Sequence, residues 1–131
     1  MSIFLTTEQV TAIHDLQSSQ PLRDPDTLAS AIGRPTAGWD GQLIDSTLAL
    51  QAAVLLTAVC QAQAFVDGNK RTAWVSCDVF LQLNGSRLTE IEDNEIVDLM
   101  NRVSTGEHTE QSVAEWIALR STPRKETTSH P

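Results

Sequence analysis

The sequence predicts an all-α domain of about six helices, and three observations carry that prediction. Residues 48–60 form one apolar run interrupted only by Gln51 and Thr57. A helix apolar nearly all round belongs in the middle of a domain. Helix-starting residues recur at Thr6, Asp24 and Thr109, each followed by apolar positions at helical spacing. Strand character is confined to residues 85–90.

The elements follow in order. Thr6 and Gln9 make a capping box, and Val10, Ile13 and Leu16 then share one face. Residues 17–22 are polar, contain Pro21 and read as a loop. Asp24-Pro25 is an N-cap followed by proline at the first helical position. Leu28, Ala29 and Ile32 give that short helix its apolar face, and Gly33 and Pro35 end it. A loop over 35–42 carries Gly38, Trp39 and Gly41. Asp45 or Ser46 then caps the central apolar helix, which should run to about Ala64. After a polar loop, a second core helix spans about 70–84, with Trp74, Cys77, Val79, Phe80, Leu81 and Leu83 as its apolar positions. Asn84-Gly85 stops it. A helix over 93–104 turns Ile96, Val97, Leu99, Met100 and Val103 inward, and Gly106 ends it. Thr109 caps the last helix, which runs to about Arg120 with Val113, Trp116, Ile117 and Leu119 inward.

The chain has 131 residues, enough for one domain with a single core. That domain is assigned to residues 1–120, and the polar tail over 121–131, with two prolines, is expected to be disordered. A net charge of −8 argues against nucleic acid or an anionic membrane as the main partner. Cys60 and Cys77 lack a C-x-x-C spacing and lie in apolar helices, so they read as free thiols of a reducing compartment. The first five residues, Met1-Ser2-Ile3-Phe4-Leu5, carry no charged leader, and the apolar run is too short to span a bilayer. A cytoplasmic location follows. Nothing in the pattern argues for self-association, so a monomer is expected.

The chemistry concentrates in Gln63-Ala64-Phe65-Val66-Asp67-Gly68-Asn69-Lys70-Arg71-Thr72-Ala73. Lys70 and Arg71 stand where a helix begins. Cations are unfavourable there, because unpaired N–H groups already make that end positive. They become sensible if an anion such as phosphate occupies it. Gly68 and Asn69 tolerate left-handed backbone and can gather N–H groups into a nest, although a lone Gly-Asn pair is more often a plain turn. Asp67 is a candidate magnesium ligand, since hard cations bind through one or two carboxylates plus phosphates. Its bland alternative is a helix N-cap. Phe65 reads as an anchor into the core.

The same stretch is similar to the H-x-F-x-D-x-N-K-R-T-A form of the Fic motif, and it most resembles the death-on-curing (Doc) branch of the Fic/Doc family. Lys70 stands where AMP-transferring members usually have glycine, which favours that branch. Ile13-His14-Asp15 and Arg23-Asp24-Pro25, followed by Leu28, Ala31, Ile32 and Arg34-Pro35, also resemble it. The likeness covers nearly all of residues 5–120. It implies an all-α toxin that transfers phosphate from ATP, with magnesium, to a threonine hydroxyl of elongation factor Tu. It also implies a small antitoxin partner with a segment that folds on binding. By position, Asp67 would hold Mg2+, and Gly68, Asn69, Lys70 and Arg71 would hold phosphates. Residues 86–90 match only the first part of the self-inhibitory motif of some Fic proteins, so inhibition is expected from a separate chain.

One position departs from the family pattern. Gln63 stands where the family's histidine accepts the proton of the attacking hydroxyl. An amide does not titrate near neutrality and cannot be that base. Three explanations compete: a toxin inactivated at this position, a non-catalytic pseudo-toxin that binds nucleotide or antitoxin, and chemistry using another base. An AMP transferase of the same fold is the nearest rival activity. His14 is expected to be a structural, hydrogen-bonded residue of the first helix, and His108 and His130 lie far from the motif in sequence.

Overall fold

A computed structural model describes residues 2–36 and 47–123. The expected loop residues Gly38, Trp39 and Gly41, the caps at Asp45 or Ser46, and residues 124–131 lie outside those described. Six helices carry the fold: α1 (Thr7–Asp15), α2 (Pro25–Gly33), α3 (Leu48–Ala62), α4 (Asn69–Leu83), α5 (Asp93–Ser104) and α6 (Glu110–Arg120). A 3-10 turn, Arg34–Thr36, follows α2. The all-α expectation holds.

Local chemistry explains the starts. Thr6 and Gln9 form the expected capping box on α1: the Gln9 N–H donates to Thr6 Oγ1 at 3.1 Å and the Thr6 N–H to Gln9 Oε1 at 2.9 Å. Asp24 caps α2 through the Thr27 N–H at 3.1 Å. Thr47 caps α3 by accepting from the Leu50 N–H. Thr109 caps α6 by accepting from the Ser112 N–H at 3.0 Å.

α3 occupies the centre and packs against α4, α6, α2 and α5. Ala52, Ala53, Leu55, Leu56 and Val59 are all buried. Around them close Val10, Leu28, Phe80, Leu99, Val113 and Ile117, so every helix contributes to one core. Phe4 stacks on Phe80 with ring centroids 5.7 Å apart, covering one end of it. Asn84 does more than stop α4. Its side chain exchanges two hydrogen bonds with the backbone of Ile3, at 2.6 and 2.8 Å, and ties the N-terminal segment down. Cys60 and Cys77 are buried free thiols, as expected.

Several positions differ from the sequence expectation. Residues 121–123 are not part of a disordered tail: β2 (Ser121–Pro123) pairs antiparallel with β1 (Ser86–Leu88). β1 was expected from its pattern, but its partner had no strand signal, because the pairing uses backbone groups that any sequence supplies. Leu16, Val97 and Leu119 are exposed, at 89%, 58% and 84%, although helical spacing put them inward. Leu16 lies beyond the last turn of α1, as its C-cap. Val97 and Leu119 border the inward face, and the core is already filled by Met100, Val103, Val113 and Ile117. Leu83, at 43% exposed, sits in the last turn of α4. On α2 the buried alanine is Ala31, and Ala29 is exposed. None of the helices among the described residues is long and apolar enough to cross a membrane.

Two predictions follow from this packing. Phe80→Ala empties a fully buried site and should cost about 3–5 kcal/mol in urea denaturation, whereas Leu119→Ala should change stability by no more than ~0.5 kcal/mol. The Asp24 carboxyl is held below its usual value, first by the Thr27 hydroxyl and then by the Thr27 N–H. A depressed carboxylate contributes stability above its unfolded pKa and loses it as pH falls through the folded value. Asp24→Ala should therefore be less stable than the parent at neutral pH, and the gap should narrow as pH falls through the lowered Asp24 value.

Candidate functional site

The site is built where α3 ends and α4 begins, a reversal made in six residues, 63–68. Gln63 terminates α3 in a left-handed conformation, φ +49° and ψ +43°, and no other non-glycine among the described residues has a positive φ. Holding a side-chain-bearing residue there costs on the order of 1 kcal/mol or more and persists only where surroundings enforce it. Here they do. The Gln63 carbonyl accepts from Arg23 Nη2 at 2.7 Å. The Ala64 carbonyl accepts from the backbone N–H groups of Arg23 and Asp24, at 2.7 and 2.9 Å, and the Val66 N–H donates to the Pro21 carbonyl at 3.1 Å. Leu22 and Phe65 form an isolated antiparallel bridge. The segment before α2 is thus a brace for the loop.

Phe65 is 1% exposed and anchors the loop in the core, as the sequence suggested. Asn69 closes the turn: its side-chain Oδ1 accepts from the Phe65 N–H at 3.1 Å, and its Nδ2 donates to the Phe65 carbonyl at 2.9 Å. The side chain of Asn69 is therefore spent on the loop, and what it offers an anion is its backbone N–H. Gly68 precedes it at φ +82°, and no side chain caps α4. The N-cap alternative for Asp67 is not realised. Its carboxylate makes no hydrogen bond or ion pair with the described residues, and its backbone carbonyl lies 2.9 Å from His14 Nε2. His14 is fully buried and stacks on Phe65, so the expectation of a structural histidine is met.

A cleft of about 480 Å³ opens over this helix end, lined by Gln63, Val66, Asp67, Gly68, Asn69, Lys70 and Arg71, with Gln17, Cys60 and Ser104. Gln63, Asp67, Gly68, Asn69, Lys70 and Arg71, the candidate chemical residues of the motif, all line it, while Phe65 lies beneath in the core. The uncapped N–H groups of α4 and the two cations make this rim positive in a chain of net charge −8. Lys70 Nζ donates to Asn101 Oδ1 on α5 at 3.0 Å, and the Arg71 fork has no partner among the described residues. Lys70 and Arg71 also wall a second cleft of about 550 Å³, lined further by Trp74, Ile96, Val97, Met100, Asp93 and Asn101. Cys60 lies at the first cleft's floor. Burial pushes its thiol above the usual value, with Lys70 opposing in part, which leaves it a poor nucleophile.

Among the described residues no group of three or more His, Cys, Asp or Glu side chains could cage a metal ion. Asp67, a free carboxylate beside an uncapped helix N-terminus, is the residue that could hold a magnesium ion carried by phosphates, since that ion binds through few carboxylates plus phosphates. Sequence reasoning missed Arg23 and Asn101 as parts of the site. Arg23 belonged to a recognised motif, but nothing there linked it to position 63. Asn101 reaches Lys70 across 31 residues from another helix, and no spacing rule reports such a meeting.

A family model described as the Fic/DOC family matches residues 4–81. The chain is 38% identical over 98 residues to "Toxin Doc" of Mycolicibacterium smegmatis (strain ATCC 700084 / mc(2)155), covering 74% of this chain and 75% of that protein. It is 31% identical over 118 residues to "Protein kinase doc" of Escherichia phage P1, covering 86% of this chain and 91% of that protein.

The double hydrogen bond of Asn69 makes a testable claim about the loop. Asn69→Ala leaves both backbone groups of the largely buried Phe65 unpaired and should lower stability by roughly 1–3 kcal/mol in chemical denaturation.

Proposed function

This chain belongs to the Fic/DOC family, and from that premise we propose that it is a Doc-type toxin built to transfer phosphate from ATP to a protein hydroxyl, with Gln63 standing at its base position. The observation that carries this reading is the cleft over α4. It brings an uncapped helix N-terminus, two cations and a free carboxylate to one rim, with the residue-63 side chain beside them. Phosphoryl transfer asks the protein mainly for positioning and electrostatic stabilisation, and these are the parts supplied.

The roles follow from the chemistry of each group. The N–H groups of Asn69, Lys70 and Arg71 would donate to phosphate oxygens. Lys70, held by Asn101, acts as a fixed point charge, and the free Arg71 fork suits a bidentate phosphate contact. Asp67 would hold magnesium, which when bound neutralises charge on the phosphate oxygens. The second cleft, apolar around Trp74 and Met100 and sharing Lys70 and Arg71, suits the nucleoside end. The target hydroxyl forms its bond to the terminal phosphorus, ADP leaves, and the hydroxyl proton must go to a base. Position 63 lies at the cleft wall where that base is needed. A glutamine there can orient the hydroxyl by hydrogen bonding but cannot take the proton.

The target proposed from the family resemblance is a threonine hydroxyl of elongation factor Tu, with arrest of translation as the consequence. A separate antitoxin chain, folding on binding, would silence the active form, and the toxin itself would be a cytoplasmic monomer. Lys70 in place of glycine favours phosphate over AMP transfer. A second reading rests on Gln63 itself: a pseudo-toxin that binds nucleotide and antitoxin without turnover.

One comparison separates these readings. The protein and its Gln63→His form are incubated with magnesium, purified elongation factor Tu and ATP labelled at the γ or the α phosphate. The histidine form should transfer γ label faster than the parent by roughly 10²–10⁴-fold. Transfer of α label would mean an AMP transferase. Label from neither form, with antitoxin binding retained, would mean the pseudo-toxin. Equal label from both would place the base elsewhere.

A further inference from the structure

One buried polar side chain has no part in the chemistry above. His14 on α1 is fully buried and lies 53 residues away in sequence from the residue it holds. Its Nε2 is 2.9 Å from the Asp67 carbonyl oxygen. A carbonyl only accepts, so Nε2 carries a proton and donates. The ring lies flat on Phe65, centroids 3.8 Å apart and planes 9° apart. Nδ1 lies 3.1 Å from the carboxylate of Asp15, whose side chain is 66% exposed. A Cβ added to Gly68 would stand 3.6 Å from His14 Cδ2. One ring therefore bears on residues 65, 67 and 68 of the loop.

The loop needs such a fixture at its far end. Arg23 and Asp24 brace residues 63 and 64, and Asn69 clasps residue 65. The Asp67 side chain makes no hydrogen bond or ion pair with the described residues, so among them only its backbone fixes where the carboxylate starts from. The next residue is Gly68 at φ +82°, the type with the fewest conformational restraints. The His14 hydrogen bond is what stops the peptide between 67 and 68 from turning. It also commits Nε2, so His14 is not a substitute for the missing base at position 63.

We propose that His14 is a positioning residue that orients Asp67 toward the phosphate end of the cleft and thereby sets the affinity for a nucleotide-borne divalent cation. This rests on the reading of Asp67 as the ligand of that cation. Groups that orient a ligand typically change metal affinity by 10–100-fold when removed.

The test uses the full chain, ATP and magnesium, with binding followed by calorimetry. ATP affinity is measured in EDTA, and the half-saturating magnesium concentration is measured at fixed ATP. His14→Phe keeps a buried aromatic on Phe65 but removes the donor. It should raise half-saturating magnesium by about tenfold or more while ATP affinity in EDTA stays within about twofold. His14→Gln restores a donor at similar reach and should recover most of the loss. In the Gln63→His background, His14→Phe should raise the magnesium requirement while kcat at saturating magnesium stays within about twofold of its own parent. Circular dichroism melting checks that each variant is folded, and His14→Met is the donorless alternative if His14→Phe does not fold. A folded donorless variant with parental magnesium dependence overturns the proposal. Asp67→Ala tells the two possible failures apart. If it too leaves magnesium dependence unchanged, the reading of Asp67 falls and the inference with it. If only the His14 variants are silent, the reading of Asp67 stands and His14 is merely structural.

Discussion

The burial of the middle of α3, residues 52–57, is the constraint from which the rest of the structure follows. An apolar helix cannot present a face to water without cost, so α2, α4, α5 and α6 pack around it. Its C-terminus must still leave the core. It does so by a left-handed turn at Gln63, and within six residues the chain has reversed and started α4. A reversal this short cannot satisfy its own backbone groups. The segment before α2 supplies partners at Gln63, Ala64 and Val66, the Asn69 side chain supplies them at Phe65, and His14 supplies one at Asp67. The loop is thus specified by the first residue of α4 and by two pieces of the chain far from it.

This arrangement also explains how an acidic protein comes to have a locally positive helix end. The net charge of −8 is spread over the surface, while the positive groups that matter lie within one helical turn. At that end of α4 the glycine cap contributes no side chain. An ordinary N-cap would have filled the N–H groups that remain available here. The absence of a cap, the commitment of Asn69 to the loop and the tether of Lys70 to Asn101 are three parts of one device. It holds donors and positive charge in fixed places at one helix end.

Gln63 sits at the most constrained backbone position of that device. Its conformation is held through its carbonyl and through the residues on either side, none of which depends on what the side chain is. The backbone at position 63 is thus fixed independently of the group it presents. The N-terminus of α4 and the side chain at position 63 are therefore set by separate parts of this fold.

Much was determined by the sequence alone. The order of the helices, the central place of α3, the caps at Thr6, Asp24 and Thr109, and the polar turn between α3 and α4 are all written in local patterns. Periodicity and capping are properties of neighbouring residues, which is why they can be read along the chain. The tertiary structure decided the rest. It left Val97 and Leu119 in water, because the core had room for only part of each apolar stripe, and Leu16 because it falls past the last turn of α1. It turned residues 121–123 into a strand, because backbone pairing with β1 needs no side-chain signature. It assigned Asn69 to the loop, Asn101 to Lys70, and Arg23 and His14 to the two ends of the turn. Asn69 reaches a residue only four positions away, but the other meetings join residues tens of positions apart, and only the packing of helices around α3 brings those within the length of a hydrogen bond.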